Sequence, residues 1–136
     1  MTDHPVERAE HSIHHVHALI HRVFTDADGT GAASIEPLMQ AFADDFSMVG
    51  VSAIAMSRSE VEQLFRGAVG ARPGLEILIS HLHTIWYQGE TLAVSYVETH
   101  RLDGIEQSRA SVAILCVQPA DVQWRYLHEI PLSTGV

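Results

Sequence analysis

The second half of the chain restricts the fold most strongly, because four strand-like runs follow one another there with very short connections. The runs are Leu75–Tyr87, Thr91–Leu102, Ser108–Val117 and Val122–Ile130. Strands joined so closely pair as an antiparallel meander, and the Asp103-Gly104 pair is typical of a two-residue hairpin turn. A meander of this length needs other elements on one face to close a core.

Helical patterns ahead of the meander supply those covering elements. Helices are predicted over about Val6–Phe24, over about Ile35–Phe42 with Ser34 as N-cap, and from Ser57 onward. The third has the clearest start, because Ser57-Arg58-Ser59-Glu60 is a capping box. Short strands are expected at Phe46–Val49 and Ala53–Met56. The pattern predicts an α+β fold in which three N-terminal helices pack on a curved, mostly antiparallel sheet and enclose a pocket.

Length and charge narrow the class of protein. The 136 residues fit one domain spanning residues 1–136. The net charge is -9 and all 8 basic residues are arginine, which disfavours nucleic acid and anionic membrane surfaces as partners. The sequence contains no signal-like segment and no long apolar run, so a cytoplasmic location is predicted. The lone Cys116 lies in an apolar strand and is predicted to be a core residue.

The run Val112–Val117 predicts an additional contact. Every position in this run is apolar, whereas a strand covered on one face alternates apolar and polar residues. Helices cover only one face of the predicted sheet, so the second apolar face needs another surface. We therefore expect a homodimer that packs through the outer face of the sheet.

Four segments resemble the NTF2-like superfamily, whose members have a cystatin-like α+β cone. They are Leu38–Phe46, the helix start Ser57–Glu60 followed by Phe65, the run Glu90–Val94, and Trp124–Glu129. The last segment resembles the final strand of the DUF4440 subgroup, and SnoaL-like polyketide cyclases belong to the same superfamily. The resemblance covers nearly the whole chain and implies a cone whose interior can hold a ligand, although a shared fold does not fix the chemistry.

The ketosteroid isomerases of this superfamily provide a test of one specific activity. Aligning Phe42–Asp45 with the matching run of the family places Gly50 at the position of the catalytic base. The positions of the tyrosine and the second acid fall near Ile20 and Ala113. None of these three residues can transfer a proton through its side chain, so the resemblance argues against that isomerase chemistry.

Strand alternation, placed in the register of the family, predicts a polar set on the inner face of the sheet. The predicted ligand-binding residues are Tyr96, Glu98, His100, Arg109, Ser111, Trp124, Tyr126 and His128. Val94, Ala113, Leu115 and Ile130 should share that face, and Glu129 should point outward. We expect Glu98 and Arg109 to pair across adjacent strands, because a buried unpaired charge is costly.

Two interpretations of this polar set are open. As a structural network, it would stiffen a small core with every polar group satisfied. As a site, it would use Glu98 or His128 as the catalytic candidate, with Arg109 or Tyr96 binding an oxyanion of the ligand.

Histidines crowd the first predicted helix, at His11, His14, His15, His17 and His21. The spacing of four residues within this set allows two imidazoles to share a metal ion. Neither a nearby cysteine nor the HExxH pattern accompanies them. Most should therefore face solvent, and neither a metal site nor a cofactor is predicted.

Three functions agree with these features. The first is binding of a small, largely hydrophobic molecule, as in a DUF4440-like protein without assured catalysis. The second is a SnoaL-like acid–base enzyme of the isomerase, cyclase or hydrolase type, acting on a carbonyl compound. The third is an assembly module whose sheet face builds a dimer and whose pocket is vestigial. Composition and charge do not decide between an enzyme and a binding protein.

Overall fold

The computed structural model describes residues 4–133, so the predicted domain, residues 1–136, extends beyond the described part at both ends. Within that part the helices are α1 (Pro5–Thr25), α2 (Thr30–Gln40) and α3 (Arg58–Gly67). The strands are β1 (Phe42–Val49), β2 (Ala55–Ser57), β3 (Glu76–Gln88), β4 (Thr91–Leu102), β5 (Ile105–Val117) and β6 (Val122–Pro131). The predicted α+β class and the order of its elements are confirmed.

All of these strands belong to one sheet, in the order β2-β1-β6-β5-β4-β3. The pairs from β3 to β6 are antiparallel, as the short turns predict, and β1 lies parallel to β6. The β4–β5 pair has continuous register, with Tyr96 opposite Ser111 and Glu98 opposite Arg109. Because side chains alternate along a strand, this unbroken hairpin fixes which of them face the helices.

Helix α2 begins earlier than predicted, and the preceding loop explains why. Gly29 has a φ of 84°, a left-handed conformation that glycine adopts without strain. The Asp26 carboxylate accepts a hydrogen bond from the Gly31 amide at 2.8 Å, which satisfies a donor in the first turn. Ser34 is consequently inside the helix, where its hydroxyl donates to the Thr30 carbonyl oxygen at 2.7 Å. The prediction that Ser34 is the N-cap is wrong.

Helices α1 and α3 pack on the inner face of the sheet. Helix α1 buries an apolar stripe that includes Ile13 and Val16. The indole N–H of Trp124 on β6 donates to the Ser12 hydroxyl at 3.0 Å, which links α1 to the sheet. Helix α3 begins at the predicted capping box and buries Phe65. No helix within residues 4–133 is long and apolar enough to span a lipid bilayer.

Strand β6 contains a bulge that the sequence analysis did not foresee. Leu115 of β5 pairs with Trp124, whereas the next residue of β5, Ile114, pairs with Tyr126. Arg125 is therefore the extra residue that the ladder skips. The strand keeps Trp124 buried against the helices but reverses the alternation beyond Arg125.

The consequence of the bulge is an exchange of faces in the second half of β6. Leu127 and Glu129 are buried and line the interior. Tyr126 and His128 alternate with them and lie on the outer face, and Ile130 is 56% exposed. The predictions that Tyr126, His128 and Ile130 point inward and that Glu129 points outward are wrong, because they assumed unbroken alternation.

Candidate functional site

A cavity of about 110 Å³ lies between the helices and the inner face of the sheet. Its apolar walls include Val16, Ile20, Phe42, Val61, Phe65 and Trp124, and Leu64, which is half exposed, also borders it. Five ionisable side chains, hereafter the polar cluster, line the same cavity: His17, Glu98, His100, Arg109 and Glu129. An apolar hollow into which a few polar groups converge is the usual form of a small-molecule site.

Glu98 is the centre of the polar cluster and is only 4% exposed. Its Oε1 lies 3.1 Å from His17 Nε2, and its Oε2 lies 2.5 Å from His100 Nε2. The other ring nitrogen of His100, Nδ1, lies 2.9 Å from Arg72 Nη1. Both oxygens of the Glu98 carboxylate thus have a donor, which makes this group an anchor for two imidazoles.

Hydrogen bonding determines where the protons of the two imidazoles lie. His17 Nδ1 lies 2.7 Å from the Ile13 carbonyl oxygen, which can only accept, and Nε2 faces the Glu98 carboxylate. Both nitrogens of His17 must therefore carry a proton, so the ring is an imidazolium. His100 differs, because the guanidinium of Arg72 can only donate; its Nδ1 accepts and its Nε2 donates to Glu98.

The pKa values of the pair formed by His17 and Glu98 shift in agreement with this assignment. Burial alone would lower the pKa of His17, but the hydrogen bond to Glu98 and its negative charge outweigh burial and raise that pKa. Burial would raise the pKa of Glu98, but hydrogen bonds from His100 and His17 reverse the effect and lower it. Glu98 therefore stays ionised at neutral pH.

The pKa of Glu129 shifts in the opposite direction from that of Glu98. Burial raises its pKa to about 7, and the charge of Glu98 contributes to the rise, while Arg109 opposes it. Its Oε1 lies 3.5 Å from Arg109 Nη1, and its carboxyl is within hydrogen-bonding reach of Glu98. Because the pKa of Glu98 is lowered, the two carboxyl groups hold one proton between them at pH values below about 7. The group with the higher pKa, Glu129, carries that proton.

The predicted contact between Glu98 and Arg109 is wrong, although the two residues are opposite each other in the ladder. Arg109 instead faces Glu129 of the neighbouring strand β6. The carboxylate of Glu98 is hydrogen-bonded to His17 and His100. The reason is the bulge in β6, which brings a second carboxyl to the inner face. Arg109 nevertheless lines the cavity, as predicted.

The other predicted site residues divide between the two faces of the sheet. Tyr96 and Ser111 are buried neighbours on the inner face, where burial and the charge of Glu98 raise the pKa of Tyr96 well above its ordinary value. Trp124 lines the cavity, as predicted. The Tyr126 hydroxyl lies 2.9 Å from His128 Nδ1, and neither residue lines the cavity. The prediction that the catalytic candidate His128 lies in this cavity is therefore wrong.

Gly50, at the base position of the isomerases, lies close to Glu129. A Cβ atom placed on Gly50 would be 3.7 Å from Glu129 Oε1. The carboxyl of Glu129 thus reaches the region near Gly50, but it does so from β6.

The histidines of α1 are mostly solvent-facing, as predicted. His11, His14 and His15 are exposed, and His21 donates from Nε2 to the Leu75 carbonyl oxygen at 2.8 Å. Residues 4–133 contain no group of three or more His, Cys, Asp or Glu side chains that could hold a metal ion.

Sequence reasoning missed three residues of this region: His17, Arg72 and Glu129. A signal for His17 was present, because it lies between Ile13 and Ile20 in the sequence of α1 and is therefore on its buried face. A buried histidine needs hydrogen-bond partners, which indicates a polar contact at this position. Arg72 sits in the turn after α3 and carries no comparable signal. Nothing in the local pattern around Glu129 reveals the bulge that turns it inward.

This architecture matches the folds of known proteins. The cone of three helices on a curved six-stranded sheet is the fold of the NTF2-like proteins. An NTF2-like protein of unknown function from Pseudomonas aeruginosa is 27% identical, with a TM-score of 0.85, and the match covers 93% of this chain and 99% of that chain.

More distant structures support the same fold. A cystatin-like protein of unknown function from Nostoc punctiforme is 13% identical, with a TM-score of 0.66 and 90% of each chain covered. An NTF2-like protein of unknown function from Pseudomonas putida is 15% identical, with a TM-score of 0.66, covering 93% of this chain and 89% of that one. Comparisons with protein-family models and with curated proteins yield no match.

Proposed function

We propose that this chain binds a small, largely apolar molecule that presents one oxygen acceptor to Glu129 and Arg109. The observation that carries the proposal is the placement of both donors in a cavity with apolar walls, where the other polar side chains, His17, Glu98 and His100, are already bonded to one another. Below its pKa of about 7, the Glu129 carboxyl can donate its proton, and the Arg109 guanidinium is a second donor. We further propose that the relationship lies with the DUF4440 and SnoaL-like subgroup, which the Trp124–Glu129 segment resembles.

The volume limits the size of the ligand. A dry engineered cavity of roughly 150 Å³ accommodates benzene, so about 110 Å³ suits a molecule with a similar number of heavy atoms. The half-exposed Leu64 borders the cavity, so a longer apolar tail can leave past this side chain. A short branched ketone is a suitable probe.

Methyl isobutyl ketone is expected to bind inside the cavity. In an NMR titration, resonances of Val61, Phe65 and Leu127 should shift, while those of Trp86 on the outer side should not. Replacing Glu129 with leucine removes one donor and should weaken binding about tenfold, the usual cost of one buried hydrogen bond.

The matched control for this experiment is Glu106→Gln, because Glu106 is 56% exposed and pairs with Arg101 on the surface. It should bind the ketone like the wild-type chain. Shifts confined to the outer face, or equal affinity in Glu129→Leu, would contradict the proposed site.

A second candidate function is acid–base catalysis on a carbonyl compound, and the pKa of about 7 for Glu129 favours it. A general acid or base works best when its pKa is close to the working pH. The Glu129 carboxylate would remove a proton from the carbon next to the carbonyl; the electron pair of that C–H bond would form a C=C bond, and the π pair of the carbonyl would move to its oxygen. Arg109 would stabilise the enolate, and Glu129 would return the proton.

Deuterium exchange tests this step without knowledge of the natural substrate. In D₂O, the wild-type chain should exchange the hydrogens next to the carbonyl of methyl isobutyl ketone faster than buffer does, with the rate rising to a plateau above pH 7. Glu129→Gln should abolish the acceleration, and Glu106→Gln should retain it. If Glu129→Gln exchanges at the wild-type rate, catalysis by this carboxyl is excluded.

A homodimer through the outer face of the sheet is also proposed. That face carries half-buried Val112, Ile114 and Cys116, and Trp86 is 50% exposed. A second copy would cover this surface and remove the apolar side chains from water. Analytical ultracentrifugation should show a dimer for the wild-type chain and a monomer for Ile114→Glu. A monomeric wild-type chain at micromolar concentration would contradict the proposal.

A further inference from the structure

The charges in the cavity do not balance when Glu129 is protonated. His17 is an imidazolium because both of its nitrogens face acceptors, and Arg109 is a guanidinium. Glu98 is the single negative charge opposite these two cations. The polar cluster therefore carries one excess positive charge, although the whole chain has a net charge of -9. An uncompensated charge in an apolar cavity is unfavourable, so an incoming anion would be stabilised there.

The contact of Arg109 with Glu129 is too long for a full hydrogen bond, so the guanidinium keeps donors for that anion. Its N–O distance is 3.5 Å, whereas a charge-assisted hydrogen bond measures about 2.7–2.9 Å. The guanidinium has five N–H donors in a planar fork that matches a carboxylate. Arg109 also borders a surface groove with Gln107 and Pro131, so its side chain lies between the cavity and the outside.

We propose that the preferred ligand of this cavity is a small monocarboxylic acid with an apolar body, bound as its anion between Arg109 and the protonated carboxyl of Glu129. This inference rests on the proposed function, since it specifies the ligand class for the same cavity. The carboxylate would accept one hydrogen bond from Arg109 and one from Glu129. The apolar body would lie against Phe65 and Leu127.

Binding of this anion is linked to the proton on Glu129. The groups that face Glu129 are the charged Arg109 on β5, Glu98 on β4 and His17 on α1, together with the neutral His100 on β4. When Glu129 loses its proton, above a pKa of about 7, the cluster becomes neutral and the second carboxylate repels the ligand. The affinity should therefore be constant just below pH 7 and should fall about tenfold per pH unit above it. Each binding event at pH 8.5 should take up close to one proton.

Isothermal titration calorimetry with isovalerate, isovaleramide and methyl isobutyl ketone tests this inference, since the three probes have the same shape. At pH 6.5, isovalerate should bind the wild-type chain at least about tenfold more tightly than the amide. Titrations in buffers of different ionisation enthalpy measure the proton uptake. Between pH 7 and 8.5, isovalerate should lose affinity at the predicted slope, whereas the ketone loses one hydrogen bond without charge repulsion and should weaken by at most about tenfold.

Two variants complete the test. Glu129→Gln keeps a donor that does not ionise, so it should bind isovalerate with an affinity that no longer depends on pH between 7 and 8.5. Arg109→Gln should remove the preference for the acid over the amide, and Glu106→Gln should behave like the wild-type chain.

The outcomes separate this inference from the proposed function. Equal affinity for the three probes, or isovalerate affinity without pH dependence, would overturn the carboxylate assignment and leave the binding site standing. Failure of all three probes to bind the wild-type chain would overturn both.

Discussion

Glu98→Leu is expected to lower the free energy of unfolding by about 3–5 kcal/mol, because it leaves the His17 imidazolium buried without its counter-charge. His17 and Glu98 are each at most 5% exposed, so water cannot replace the lost contact. His100 loses its acceptor in the same variant. Urea denaturation at pH 6.5 measures the change.

A double-mutant cycle identifies the cause of this loss. Adding His17→Leu to Glu98→Leu removes the buried cation as well, so the double variant should recover part of the stability that Glu98→Leu loses. The matched surface variant Glu106→Leu should change stability by less than about 1 kcal/mol, since its ion pair with Arg101 is exposed. A cost below about 1 kcal/mol for Glu98→Leu would show that the network is not held by its charges.

Glu129→Gln is expected to have the reverse effect and to stabilise the protein by about 2–3 kcal/mol at pH 8. The folded-state pKa of Glu129 is raised from 4.5 to about 7, so folding favours the protonated form. The wild-type chain therefore loses stability as the pH rises from about 4.5 through about 7, and each pKa unit corresponds to about 1.4 kcal/mol. Glutamine cannot ionise and avoids that loss.

The pH dependence distinguishes this effect from a simple packing change. Wild type and Glu129→Gln should have similar stability near pH 5 and should diverge towards pH 8. The raised pKa of His17 makes its contribution fade in the same direction, as the pH rises above about 6.5, but it does so in both proteins. The difference between the two urea-denaturation curves therefore isolates Glu129. A difference that stays constant from pH 5 to 8 would exclude a raised pKa for this residue.

Much of the fold follows from local sequence signals. The Asp103-Gly104 turn and the short connections around it predict the meander, because closely joined strands have few ways to pair. The capping box Ser57–Glu60 locates the start of α3 to the residue. The inner face of β4 also follows from alternation, since β4 and β5 pair without interruption from Thr91 to Leu102.

The site is less predictable, for two physical reasons. The bulge at Arg125 depends on how β6 pairs with both of its neighbours, and that pairing is not encoded in the alternation of β6 itself. Because of this one extra residue, the side chain of Glu129 and not that of His128 lies on the inner face. The contact of His17 with Glu98 joins residues 81 positions apart in sequence, so only the packing of α1 on the sheet brings them together.

The most direct test of this account follows the carboxyl-carbon resonance of Glu129 by NMR, first during a pH titration and then as methyl isobutyl ketone is added. We predict a midpoint near pH 7 in the free protein and a shift of the same resonance on addition of the ketone. A midpoint near the ordinary 4.5 together with no response to the ketone would mean that Glu129 faces water, and would contradict both the buried carboxyl pair and the proposed site.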